Sequence, residues 1–136
     1  MTFRPEQALP VEIERVEVLA RLEPNLHLLV LFGSRARGDA RADSDWDFAY
    51  LAGRGFAPES LLSRLVAAVG TERVDLVDLE RAGALLRFRV ARDGHVIHED
   101  ASGAFARFWL DAVHFWCDAG PLINAGYEAN LASLVR

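Results

Sequence analysis

Residues 28–51 read LLVLFGSRARGDARADSDWDFAYL. An apolar strand runs into Gly33-Ser34, an arginine- and glycine-rich connection follows, and a second strand opens with Asp45, Trp46 and Asp47. Side chains alternate faces along a strand, so Asp45 and Asp47 point the same way with Cα atoms roughly 6.5–7 Å apart. Two carboxylates on one face repel, and burying them alone is costly. Neither has a lysine or arginine two residues away on that face. A hard divalent cation held by carboxylate oxygens is the compensation this pattern calls for.

Upstream, Phe32-Gly33-Ser34 ends the apolar run just before Arg35, Ala36 and Arg37, which favour helix. Glycine permits a tight turn and lets backbone N–H groups approach an anion, and the serine hydroxyl adds a donor. Arg35 and Arg37 bring positive charge. The stretch thus couples a phosphate cradle to a metal site.

Gly33-Ser34, ten intervening residues and Asp45-x-Asp47 together resemble the signature of the nucleotidyltransferase superfamily that includes DNA polymerase beta. The run FGSRARGDARADSDWDF is most similar to its minimal nucleotidyltransferase (MNT) branch. The joint pattern carries the resemblance, since Gly-Ser or Asp-x-Asp alone is common. A turn followed by a solvated edge strand is the plain alternative. Trp46 departs from the usual pattern, in which an aliphatic residue separates the aspartates. It faces away from the expected metals, so altered packing with intact chemistry is the expectation.

At 136 residues, 51% of them hydrophobic, the chain is expected to form one domain over residues 1–136. No repeat, low-complexity tract or linker divides it. A net charge of −5 argues against an extended nucleic-acid footprint, while nucleotide binding with local metal compensation stays open. No signal peptide or membrane-spanning run is evident, and the single cysteine, Cys117, suits a reducing cytoplasm.

Outward from the central stretch, VEIERVEVLARL predicts a helix from about Pro10 to Leu22, ended before Pro24. Leu26–Phe32 is apolar enough for a strand covered on both faces, with His27 structural. GRGFAP is a loop, and PESLLSRLVAAVG is an amphipathic helix stopped at Gly70. RVDLVDL, residues 73–79, is a third strand. Arg81–Arg92 is ambiguous, with a short helix favoured before the turn at Asp93-Gly94. HVIHE then alternates as an edge strand whose His95 and His98 are not catalytic. Ser102 is placed to cap a helix rich in aromatics, Phe105, Phe108, Trp109, Phe115 and Trp116, read as core, with a partner interface over part of that surface as the alternative. Gly120-Pro121 ends it before a last helix over residues 122–136.

The resemblance implies an α/β (α+β) nucleotidyltransferase fold, with a short mixed sheet, flanking helices and a helical C-terminus. It implies two Mg²⁺ ions held by Asp45 and Asp47, with a third carboxylate from a neighbouring strand; that role carries over to Asp75, with Asp78 the alternative that strand parity leaves open. It implies ATP as substrate, its phosphates held by Gly33 and Ser34, with Arg35 or Arg37 helping. The stand-alone MNT proteins it most resembles are antitoxins that adenylylate a tyrosine of a HEPN-type toxin. A small-molecule transferase of the aminoglycoside-modifying sort, and a non-catalytic antitoxin acting by contact alone, are the rivals.

Overall fold

A central pair of strands organises the chain. The computed structural model describes residues 9–115, with helices α1 (Glu12–Ala20), α2 (Ser34–Arg37), α3 (Pro58–Val69) and α4 (Ala84–Asp93) and strands β1 (Leu26–Phe32), β2 (Trp46–Ala52), β3 (Val74–Asp78) and β4 (His95–Glu99). A further helix, α5, covers residues 104–115. The four strands form one sheet in the order β3-β2-β1-β4. β1 is antiparallel to both neighbours, and β2 runs parallel to β3. A parallel pair needs a crossover, which α3 supplies.

β1 and β2 are interior strands, and their burial follows from that position. Every residue of β1 except His27 is buried. Leu29 and Leu31 pack with Trp46, Phe48 and Tyr50 of β2 against Ile13 and Val16 of α1 and Leu61 and Leu65 of α3. Leu28, Val30 and Phe32 join Ala49 and Leu79 beneath Val90 of α4 and Phe105 and Phe108 of α5. Two apolar layers therefore sandwich the sheet, as the unbroken run LLVLF requires.

The helices end where local chemistry dictates. α1 is shorter than its sequence suggests, because only Ile13, Val16 and Ala20 turn inward. α3 begins at Pro58, and Gly70 closes it in the left-handed conformation, its N–H bonded to the Val66 carbonyl at 2.9 Å. The ambiguous segment after β3 resolves as a helix that buries Val90 and Ala91. Glu23 is buried, and Arg64 Nε at 3.1 Å and Ser60 Oγ at 3.0 Å satisfy it, tying the α1–β1 turn to α3.

Ser102 does not cap α5. Its backbone N–H and hydroxyl both donate to Asp100, while the Glu99 carboxylate accepts the N–H of Phe105 at 2.8 Å. Glu99 therefore fills the orphan-donor role, reaching in from the end of β4. The aromatic run divides: Phe105 and Phe108 are core, whereas Leu110 and Phe115 are 54% and 53% exposed. Trp116, Cys117, the Gly120-Pro121 stop and the helix expected over 122–136 lie outside the described residues. No described helix is long and apolar enough to cross a membrane.

Leu29 is wholly enclosed between β2 and the α1/α3 layer. Leu29→Ala is expected to cost about 2–5 kcal/mol of stability, seen as a lower urea midpoint with an unchanged slope; a loss under 1 kcal/mol would show that this layer is loosely packed.

Candidate active site

The topology explains how motifs distant in sequence meet. β1 ends where antiparallel β2 begins, and β3 begins beside the start of its parallel partner β2. Phe32, the last residue of β1, pairs with Asp47, and Asp47 pairs with Asp75. One end of the sheet thus collects the Gly33-Ser34 turn, Asp47 and Asp75. Asp45 lies just before β2, since that strand opens at Trp46 and not at Asp45 as its pattern suggests. It is exposed, as is Asp75, whereas Asp47 is half-buried.

Gly33 has φ 76° and ψ −159°, a backbone region closed to residues with a side chain. A Cβ there would also fall 3.1 Å from Asp47 Cγ and closer still to its Oδ2. The turn is built against the carboxylate, and glycine is what allows it. The Gly33 carbonyl then accepts the N–H groups of Ala36 and Arg37, each at 3.1 Å, starting the single turn of α2.

Asp47 is the perturbed group. Burial, then the charge of Asp75, then that of Asp45, together with a side-chain hydrogen bond to Asp75, push its pKa up from 3.8 to about 6. Arg89 of α4 opposes the shift. Like charges are crowded here beyond what the nearby cation offsets. Among the described residues no three Asp, Glu, His or Cys side chains stand close enough together to hold a metal ion as they lie. Asp47 and Asp75 instead sit as hydrogen-bonded neighbours with Asp45 at the mouth. Oxygen-only donors, excess negative charge and a carboxylate that resists ionisation suit a hard divalent cation, which would offset the charge and restore the ionisation.

The other predicted residues fall as follows. Asp78 pairs with Tyr50 on the opposite face from Asp47; it accepts the Glu80 N–H at 2.9 Å and lies 3.8 Å from Arg81. Register, which the sequence does not reveal, separates it from the carboxylates. Arg37 Nε reaches Asp39 at 3.4 Å. Arg35 turns to the loop, donating to the carbonyls of Ser44 (2.8 Å), Arg41 (3.3 Å) and Ala42 (3.4 Å), with its guanidinium 4.3 Å from the centre of the Trp46 ring. Arg73 NH1 holds the same loop through the Asp43 carbonyl at 2.6 Å. His95 Nε2 meets the Ala36 carbonyl at 3.0 Å, and His27 Nδ1 meets Asp100 at 2.5 Å, so both have structural partners. Arg89 is a member of the site that sequence reasoning missed. Nothing in LLRFRVAR marks it, since it is one of three arginines in that helix, with Arg87 and Arg92.

Comparison with known proteins agrees with this geometry. Residues 14–102 match the family described as Polymerase beta, Nucleotidyltransferase. A curated relative, protein adenylyltransferase MntA of Aphanizomenon flos-aquae (strain 2012/KM1/D3), is 33% identical across 76% of this chain and 79% of its own. Among solved structures, a toxin–antitoxin complex with AMP-PNP superposes with a TM-score of 0.67 at 25% identity, covering 91% of this chain and 98% of the other. A tri-AMPylated Shewanella oneidensis HEPN toxin in complex with MNT antitoxin matches with a TM-score of 0.62 at 23% identity, covering 93% and 98%; it supports the fold.

Two outcomes follow from the crowding at Asp47. Gly33→Ala is expected to lose about 1–3 kcal/mol from backbone strain, read by urea unfolding, and wild-type stability in that variant would contradict the close approach. The second concerns pH. A carboxyl held at about 6 in the folded chain, against 3.8 as its ordinary value, stabilises the metal-free fold fully only below 3.8 and loses that contribution as pH rises through 6. In EDTA, wild-type protein measured against Asp47→Asn should gain stability as pH falls from 7.5 to 5. A flat difference would remove the perturbed carboxyl.

Proposed function

The chain belongs to the polymerase beta nucleotidyltransferase family, and on that footing we propose that it is a Mg²⁺-dependent protein adenylyltransferase that transfers AMP from ATP to a tyrosine of a HEPN-type toxin, acting as the antitoxin. The observation that carries the reading is the convergence of the Gly33 turn, Asp47 and Asp75 at one sheet end, with Asp45 beside them. The 33% identity to a protein adenylyltransferase supports the chemistry. The likeness to a toxin–antitoxin complex with AMP-PNP supports the nucleotide and the partner. The reading takes residues 1–136 as a single minimal domain working in the cytoplasm, where ATP is available.

In the proposed reaction the tyrosine hydroxyl oxygen attacks the α-phosphorus of ATP in line with the bond to the β-phosphate. A phosphorus–oxygen bond forms to the tyrosine, the bridging bond breaks, and pyrophosphate departs with its electron pair. Asp45, Asp47 and Asp75 would hold two Mg²⁺ ions, which when bound supply Lewis-acid charge to the phosphate oxygens. Asp75, exposed and hydrogen-bonded to Asp47, is placed to accept the proton leaving the hydroxyl. The Gly33-Ser34 turn and Arg37 hold the departing phosphates, and Arg89 adds positive charge beside Asp47.

The test is label transfer from α-labelled ATP with Mg²⁺ in host lysate, resolved on a denaturing gel. One discrete labelled protein, with Asp47→Asn lowering the signal by about a thousandfold or more, is the expected result. Label confined to small molecules would point to a small-molecule transferase, and partner binding with no transfer would point to an antitoxin that works by contact; either result overturns the reading.

A further inference from the structure

Asp45 is the least supported of the three carboxylates. It precedes β2, is exposed, and sits at the end of the connection over residues 38–45, whose backbone no sheet neighbour holds in a ladder. Its neighbours in sequence, however, are gripped by one side chain. Arg35 donates at 2.8 Å to the carbonyl of Ser44, the residue before Asp45, and its guanidinium stacks 4.3 Å from the ring centre of Trp46, the residue after. The same NH2 group reaches the carbonyls of Arg41 and Ala42 at 3.3 and 3.4 Å. Arg35 Nε is buried with no hydrogen-bond acceptor among the described residues, which leaves the indole face as its compensation. Trp46 is itself anchored: it is 2% exposed, its ring stacks on Phe48 with centroids 6.3 Å apart, and its backbone N–H donates to the Arg73 carbonyl at 2.9 Å.

We propose that Arg35 and Trp46 form a clamp that sets the position of Asp45, making Arg35 a positioning residue for the metal site and not a phosphate ligand. Three observations carry it. The planar fork of an arginine meets backbone carbonyls on one edge while its face lies on an aromatic ring, a combination that lysine cannot reproduce. The two grips bracket Asp45 in sequence, so fixing both leaves that residue little freedom. The clamp also accounts for the bulky residue between the two aspartates: Trp46 turns its ring into the α1/α3 layer, away from Asp47, and offers Arg35 a flat surface there.

The inference rests on the reading of Asp45 as a metal ligand, and its test is kept apart from transfer activity by measuring metal binding. Mn²⁺ is titrated into the full chain and bound ion is read by the loss of the free-ion electron paramagnetic resonance signal, with far-UV circular dichroism confirming the fold of each variant. Arg35→Lys is expected to weaken Mn²⁺ binding about fivefold, the scale of one partly buried cation–π contact. Trp46→Leu should weaken it similarly, and Trp46→Phe, which keeps a ring face, should restore most of the loss. Arg41→Gln removes the same charge from the same loop but leaves its carbonyl, and should bind as wild type. The deciding measurement is Arg35→Lys in an Asp45→Asn background, where the effect of Arg35 should vanish because the residue it positions no longer binds metal. Wild-type affinity in Arg35→Lys, or an undiminished Arg35 effect without Asp45, overturns the clamp. Absence of Mn²⁺ binding in the wild-type chain overturns the metal-site reading, and the clamp with it.

Discussion

Mutual repulsion of carboxylates at one end of a sheet is the constraint around which this molecule is arranged. Asp47 and Asp75 stand opposite each other on parallel strands, in a setting that raises the pKa of Asp47 towards neutrality. Strands bearing such a pair would not choose this register for the sake of these two residues. Apolar pairs elsewhere impose it: Phe48 with Leu76 and Ala49 with Val77 follow directly along the same ladder. A slip of one residue would turn every side chain of β3 to the other face. The two apolar layers therefore hold charges together that would otherwise part, and the site draws on stability that the core supplies.

The same logic reaches the Gly33 turn. Its backbone conformation and its approach to Asp47 are both unfavourable for any residue with a side chain, yet the flanking strand is among the most buried in the chain. Strain at the mouth and rigidity behind it are complementary. A turn so placed holds its N–H groups in position before a ligand arrives, which is the preorganisation that phosphate binding rewards.

What could be read from the sequence was whatever is written locally. An unbroken apolar run, a Gly-Ser break, an Asp-x-Asp spacing and a helix begun by proline and stopped by glycine each act within a few residues, and β1, the turn, β2 and α3 appear where those signals lie. Asp75 and Asp78 are a different matter. Both sit in RVDLVDL, and only the pairing of β3 with β2 puts one beside Asp47 and the other three residues along on the far face. Arginines were the hardest to read, because a long flexible side chain finds its partner in three dimensions. Arg35 looked like a phosphate ligand and lies on Trp46, while Arg89 looked like part of a helix pattern and faces Asp47. Ser102 had the right residue type for a cap, but Glu99 arrives from the preceding strand with a stronger acceptor.

The distribution of positive charge bears on how an acidic protein handles a polyanionic substrate. All 15 cationic side chains are arginines, against 20 carboxylates, and several of them are occupied within the fold. Arg73 holds a loop carbonyl, Arg87 donates to the Leu79 carbonyl and lies 5.0 Å from the Phe108 ring centre, and Arg92 pairs with Asp93. Arginine is thus used here largely as a planar hydrogen-bonding, ion-pairing and stacking group whose charge is spent inside the fold. Attraction of a triphosphate must then come from a few local sources: the turn's own N–H groups, Arg37, Arg89 and the cations that the carboxylates would recruit. On the proposed reading such an arrangement would make nucleotide and metal binding interdependent. The carboxylates would repel a bare triphosphate and accept one that arrives with divalent cations, so the acidity that argues against a broad nucleic-acid surface would be the property that selects a metal-bound nucleotide.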